Sequence, residues 1–358
     1  MREVVRLQSK EAIKAIRFSP SGRWLVVLPQ SGDSIQLYER TGAIYAHRGS
    51  IAGFGIRRSS ILNAEFHPDG HLTVAGENRR LETWDLITQH LVREFGSLVP
   101  SDPGRLLVYE GLALSPDGMY VETSFLGRNR GERYLWATGE LLAHRWGNSG
   151  PFVFHPEGTL IAVAAVDSEY YTQVQLCSWT GRSYIWYPPV LIAHVAVGGA
   201  SFSPDGRSFA MIGGVDTIWC QVHSLPHCAM SFRLELGTVE ELRFPNEISE
   251  AIYVFDTHLV TGRADGTIIG VDIHDGHIIF ERLAHPDRVT SVQLHPTLPL
   301  MATASDSGDI IMWEIDRTEV EAAPRHGGVT REFIEKFPPF PEGQWRRPDY
   351  ELTFGPPD

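Results

Sequence analysis

Short apolar strands recur along the chain, and each runs into a turn of one form. The turns read Phe18-Ser19-Pro20-Ser21-Gly22, Phe66-His67-Pro68-Asp69-Gly70, Leu114-Ser115-Pro116-Asp117-Gly118, Phe154-His155-Pro156-Glu157-Gly158 and Phe202-Ser203-Pro204-Asp205-Gly206. Looser copies stand at Phe244-Pro245-Asn246 and Leu294-His295-Pro296-Thr297. Proline presets φ at the first corner, an acid can bond its own backbone, and glycine takes the positive φ that closes the hairpin. A second strand follows each anchor, as at 24–28, 72–75, 160–164 and 300–304. A third alternates polar and apolar positions at 34–38, 80–85, 173–177, 267–272 and 310–314. Further tight turns, such as Thr41-Gly42, Thr138-Gly139, Thr180-Gly181 and Asp275-Gly276, lead into a fourth.

The anchors are spaced by about 40 to 50 residues, the length of a four-stranded propeller blade. Four short strands per repeat, bounded by turn residues, predict radially arranged sheets. A sandwich or a solenoid fits this period poorly, and no helical periodicity runs through the repeats. The expected fold is therefore all-β, a seven-bladed propeller over residues 2–316. Its blades are expected to begin near 12, 61, 109, 150, 198, 239 and 289. The last repeat supplies only three strands before the chain departs at Asp316. Residues 2–8, with Val4, Val5 and Leu7, are predicted to complete it as the outer strand, which removes an exposed edge.

Residues 317–358 form a different segment, proline-rich and charged, with Phe333, Phe337, Phe340, Trp345, Tyr350 and Phe354 spaced along it. Thr330 could cap a short helix carrying Phe333, Ile334 and Phe337 on one face. The tail is expected to dock on its own ring, with a partner surface as the alternative.

The repeats resemble the WD-repeat family over about residues 2–316, nearly the whole chain. An aromatic-acid pair ends the third strand at Trp84-Asp85 and Trp313-Glu314, loosened to Tyr38-Glu39. Where the family shows Gly-His, this chain reads Ala46-His47, Ala143-His144, Ala193-His194 and Ala284-His285. The run from Met301 to Trp313 is close to the family's second and third strands. The resemblance implies that His47, His144, His194, His285, Thr303, Trp84 and Trp313 are structural, tying inter-blade loops to third strands through buried hydrogen bonds. The full set of four such residues is kept in no repeat. Ser307 stands where an Asp is expected, Val271 where a Trp is, and Asn78 replaces the Asp of the second blade.

Composition narrows the function. A net charge of −13 opposes general attraction to nucleic acid or anionic lipid. Only three lysines occur, so nearly every cation is an arginine, a side chain whose fork suits carboxylates and aromatic faces. Three cysteines in a chain this long make no disulfide framework, and residues 1–18 hold no apolar run suited to a signal peptide. With no run of eighteen apolar residues, no membrane span is expected, and the predicted location is cytoplasmic.

Motifs that would specify an enzyme, such as a phosphate loop, a GxSxG elbow or an HExxH helix, are absent, and no cofactor is implied. Cys220, His223, His227 and Cys228 are zinc-ligand types, but Cys220 falls in a predicted strand and the adjacent His227 and Cys228 tend to diverge, so no metal site is expected. The alternative to a binding protein is a propeller enzyme of lactonase type with a site at the mouth of the central channel. Glu65, Glu110, Glu240 and Arg243 would be its candidates, although fold alone does not confer activity.

The resemblance implies a non-catalytic scaffold for protein–protein interaction. Turns between strands two and three share a face with the loops linking blades. On blades one to three this face is expected to collect Arg48, Arg57, Arg58, Arg79, Arg80, Arg105, Arg128, Arg130 and Arg133, bordered by Trp146, Tyr170 and Tyr171. Such a cluster suits an acidic protein segment held by bidentate arginine–carboxylate bonds and aromatic anchors. The competing reading is solvated loops whose arginines pair with Glu77, Glu82 and Glu132; a phosphopeptide or nucleic acid is the less favoured ligand. Partner identity and oligomeric state leave no trace in the sequence.

Overall fold

The computed structural model describes residues 1–32, 34–42, 44–52, 61–76, 80–96, 109–125, 130–146, 152–158, 160–166, 172–179, 184–193, 196–214, 217–225, 229–238, 251–255, 258–274 and 276–315. Among them the strands form seven four-stranded antiparallel sheets, the blades of a propeller. Blade one is a meander of Ile13–Phe18, Trp24–Pro29, Ser34–Thr41 and Ile44–Ala52. The inner strands of the next six are Ile61–Phe66, Tyr109–Leu114, Phe152–Phe154, Ala196–Phe202, Ala251–Phe255 and Val289–Leu294. Each inner strand lies against the next, and the seventh returns to the first, so the sheets close a ring.

Local sequence explains the division of each blade. Trp24–Pro29 is a continuous apolar run and is buried along its whole length, as a second strand covered on both faces must be. The outer strand His90–Phe95 is charged and mostly exposed. The core lies between blades. Trp24, Val26, Leu28 and Leu37 of blade one pack on Ala64, Leu72 and Val74 of blade two. On its other side Ile13, Ile16, Leu25 and Val27 meet Ala302, Ala304, Ile310 and Met312 of blade seven. Each such aliphatic side chain stabilises the ring by about 1.5–3 kcal/mol when fully buried.

Blade seven holds Val289–Leu294, Leu300–Ser305 and Asp309–Glu314, and its outer strand is Arg2–Gln8 from the other end of the chain. Arg2 pairs with Glu314 and Gln8 with Asp309, with a bulge between Glu3 and Val5. The Arg2 and Arg6 guanidiniums reach Glu314 and Asp309 at 2.6 and 3.4 Å, and the Ser9 amide donates to the Gly308 carbonyl. Val5 and Leu7 pack on the seam between blades seven and one. Deleting residues 1–9 should therefore lower the melting temperature by about 5–10 °C, since several kcal/mol of pairing and burial are lost. An unchanged melt would show that the strand does not close the ring.

In blade six Phe255 pairs directly with His258, so its first hairpin closes there. The expected anchor Phe244-Pro245-Asn246 lies outside the described residues, and the inner strand starts at Ala251, well after 239. This repeat has no Pro-x-Gly turn to mark it.

The anchor histidines have a shared role that joins the blades. His67, His155 and His295 are all buried. His67 Nε2 lies 2.6 Å from the Gly118 carbonyl and His155 Nε2 3.1 Å from that of Gly206, each in the next blade's turn. His295 Nε2 lies 3.0 Å from the Tyr45 hydroxyl, which donates to the Gly22 carbonyl of blade one at 2.5 Å. In all three rings Nδ1 accepts the backbone N–H two residues on. Gly22 and Gly118 have φ of 66° and 71°, and a Cβ at either would run into the neighbouring histidine ring. Glycine is needed there both for the turn and for the close approach.

Candidate protein-interaction site

The antiparallel meander puts the turns joining strands one to two and three to four on one face. The turns joining strands two to three, and the inter-blade loops, share the other. Of the arginine cluster expected on this second face, Arg57, Arg58, Arg79, Arg105 and Arg128 lie outside the described residues, as do Tyr170 and Tyr171. Arg130 and Trp146 pair with each other across the third and outer strands of blade three, at the end facing this side.

The remaining cluster members are engaged by carboxylates. Arg80 binds Glu94 at 2.8 Å. Arg48 stands in mid-strand rather than in a loop, because the outer strand of blade one runs on to Ala52, and its guanidinium binds Glu39 at 2.9 Å. Arg23 reaches the same Glu39 at 2.7 Å, and the pair holds that carboxyl below the usual carboxylate range.

Arg133 is not a surface residue. It is 1% exposed and points into the junction between blades three and four. There it bonds the equally buried Glu122, and its Nε lies 3.1 Å from the Tyr184 hydroxyl, which donates to Glu122 at 2.6 Å. The rings of Trp179, Tyr120, Tyr184 and Phe154 surround the guanidinium, their centroids 4.4 to 5.9 Å from it. The sequence places Arg133 on the loop face; the strand Arg130–Leu135 instead holds it inside the blade, against the aromatic wall of the neighbouring one.

The residues expected to be structural divide sharply. In blade seven His285 Nε2 lies 2.8 Å from Thr303 Oγ1, and Trp313 Nε1 donates to the same oxygen at 2.9 Å, all three side chains buried. Burial pushes the His285 imidazole down to about 4. A separate set of contacts beside it joins Ser307 Oγ to Asp287 at 3.1 Å and to Ser305 Oγ at 2.9 Å. In blade two Trp84 Nε1 donates instead to Glu82 at 3.2 Å, and Thr73 bonds Thr83 at 2.9 Å. His47 is exposed in the middle of an outer strand, its ring edge against Tyr38. His144 likewise falls within the outer strand Glu140–Trp146, opposite Glu132. Neither sits in an inter-blade loop as His285 does, because their Ala-His pairs fall within strands; His194 lies outside the described residues.

Cys220 is buried in an apolar cluster with Ile212, Val222, Leu259 and Ile269, and burial pushes its thiol up to about 12. His227 and Cys228 lie outside the described residues. Glu65, one of the channel candidates, binds Arg17 at 2.9 Å. The functional residues that local reading missed are the anchor histidines and the Glu122–Arg133 pair. The alternation of His and Ser at the anchor position was the available signal for the first.

Comparison with known proteins agrees with this geometry. Residues 276–314, which span the His285–Thr303–Trp313 network, match the family model described as WD domain, G-beta repeat. A segment of 86 residues is 31% identical to Shk1 kinase-binding protein 15 of Schizosaccharomyces pombe; it covers 24% of this chain and 24% of that protein.

Proposed function

We propose that this chain, which belongs to the WD-repeat family of β-propellers, is a non-catalytic cytoplasmic platform that binds other proteins. The observation that carries the reading is the fate of its reactive side chains. His67, His155, His285, His295, Thr303, Glu122 and Arg133 are all consumed in contacts within or between blades. What such a chassis offers to other molecules is its surface. The relative is named for binding a kinase, which makes a protein kinase the first partner class to seek.

Within this reading the arginine-rich face of blades one to three takes an acidic segment of the partner. Arg57, Arg58 and Arg79 supply cations there, and a competing carboxylate would have to displace Glu94 from Arg80. Affinity purification of the full chain from native cells, followed by mass spectrometry, tests both levels. Stoichiometric co-purifying proteins are expected, and replacing Arg57, Arg58, Arg79 and Arg80 with Glu should abolish their capture without changing the melt. Capture that survives the four substitutions would discard the arginine face while leaving the platform reading intact. A protein that purifies alone and hydrolyses lactones would overturn the platform reading itself.

A further inference from the structure

The face opposite the arginines carries an apolar rim on three consecutive blades. Ile44 opens the outer strand of blade one and is 52% exposed; Ile87, in the turn before the outer strand of blade two, is 67% exposed; Met119, in the anchor turn of blade three, is 49% exposed. Leu91 and Leu141, the second residues of the outer strands of blades two and three, are exposed at the same ends of their blades. These five are the larger part of the nine large exposed apolar side chains among the described residues. Strand order places all of them on, or at the edge of, one side of the ring. Exposed apolar side chains that join into one patch mark binding surfaces.

The chain itself leaves the ring on this side. Ile315 follows the third strand of blade seven, and its amide donates at 2.9 Å to the Pro299 carbonyl in that blade's anchor turn. Blade seven adjoins blade one, where the rim begins. Forty-three residues follow Ile315, carrying Phe333, Phe337, Phe340 and Trp345 within thirteen positions. At about 3.3 Å per extended residue, the eighteen residues from Ile315 to Phe333 can span roughly 60 Å, enough to cross a ring of this size.

We infer that the aromatic run 333–345 docks intramolecularly on the rim formed by Ile44, Ile87 and Met119. This occupant has its origin on the correct face, the length to reach, and the apolar anchors to fill the surface, and its tether raises its effective concentration over any free segment. The arginine face stays open for a partner, so the two surfaces are independent.

Photo-crosslinking of the purified full chain tests the docking. With Phe337→p-benzoylphenylalanine, links within a single chain should map to 85–92 and 115–120. Adding Ile87→Glu and Met119→Glu should cut their yield at least tenfold while the melting temperature holds. Links between two copies would make the rim a dimer contact instead. Links scattered over the ring, no links, or a yield indifferent to the two charges would equally overturn the inference. No partner is present in this experiment, so its failure leaves the platform reading untouched, and failure to capture partners leaves the docking untouched.

Discussion

Acidification from pH 7 to 4.5 should weaken the fold by about 5 kcal/mol through two buried histidines. The two rings responsible are His285 and His295, each lowered from 6.5 to about 4. Burial is the first cause in both. Around His285 the charges of Asp309 and Glu3 favour protonation and that of Arg6 opposes it; around His295 Arg40 opposes it. The hydrogen bonds of His295 agree with a neutral ring. Nδ1 faces the backbone N–H groups of Thr297 and Leu298 at 3.2 and 3.0 Å, leaving no acceptor for a second proton. The unfolded chain takes up protons at these sites below about pH 6.5, while the folded chain resists until about pH 4. Their contribution is thus complete above 6.5 and falls away between 6.5 and 4. His155, also lowered by burial, adds in the same direction. Carboxylates held low by their partners, such as Asp69 and Asp85, lose their contribution only at more acid pH. Urea titrations at pH 7.5, 6, 5 and 4.5 measure the slope directly. The His285→Gln/His295→Gln variant should lose most of that slope and keep the smaller part due to His155; a slope equal to the parent's would remove these rings as the cause.

The location of these histidines shows what local sequence can and cannot convey. The five full anchors were readable because the turn is a short-range object: Gly22, Gly70, Gly118, Gly158 and Gly206 all take positive φ, as the Pro-x-x or Pro-x-Gly turns require. Ring closure was readable because a three-strand repeat at one end and an orphan strand at the other complete each other. The first hairpin of blade six was not readable, because Phe255 pairs with His258 where the sequence offers no Pro-x-Gly turn. Ala46-His47 and Ala143-His144 look like Ala284-His285 in the sequence, yet they fall inside outer strands rather than in an inter-blade loop, and the His47 imidazole meets solvent rather than a buried threonine. Short motifs fix local conformation; their partners are set by blade packing, which no local window contains.

The Glu122–Arg133 pair carries that lesson into energetics. Removing the cation by Arg133→Met should destabilise the protein by about 3–5 kcal/mol, because a carboxylate with almost no solvent exposure loses its counter-charge. Methionine keeps most of the volume inside the aromatic wall of Tyr120, Phe154, Trp179 and Tyr184, so a cavity explains little of the loss. Adding Glu122→Leu removes the stranded charge. The double variant should recover most of the stability, short of about 1–2 kcal/mol for the Tyr184 hydroxyl that loses its acceptor. This non-additivity separates a buried ion pair from simple packing, since two independent packing defects would add. Urea midpoints of the two single variants and the double variant decide it. A double variant weaker than either single one would place the energy in shape rather than charge, and an Arg133→Met variant within 1 kcal/mol of the parent would mean that water reaches Glu122.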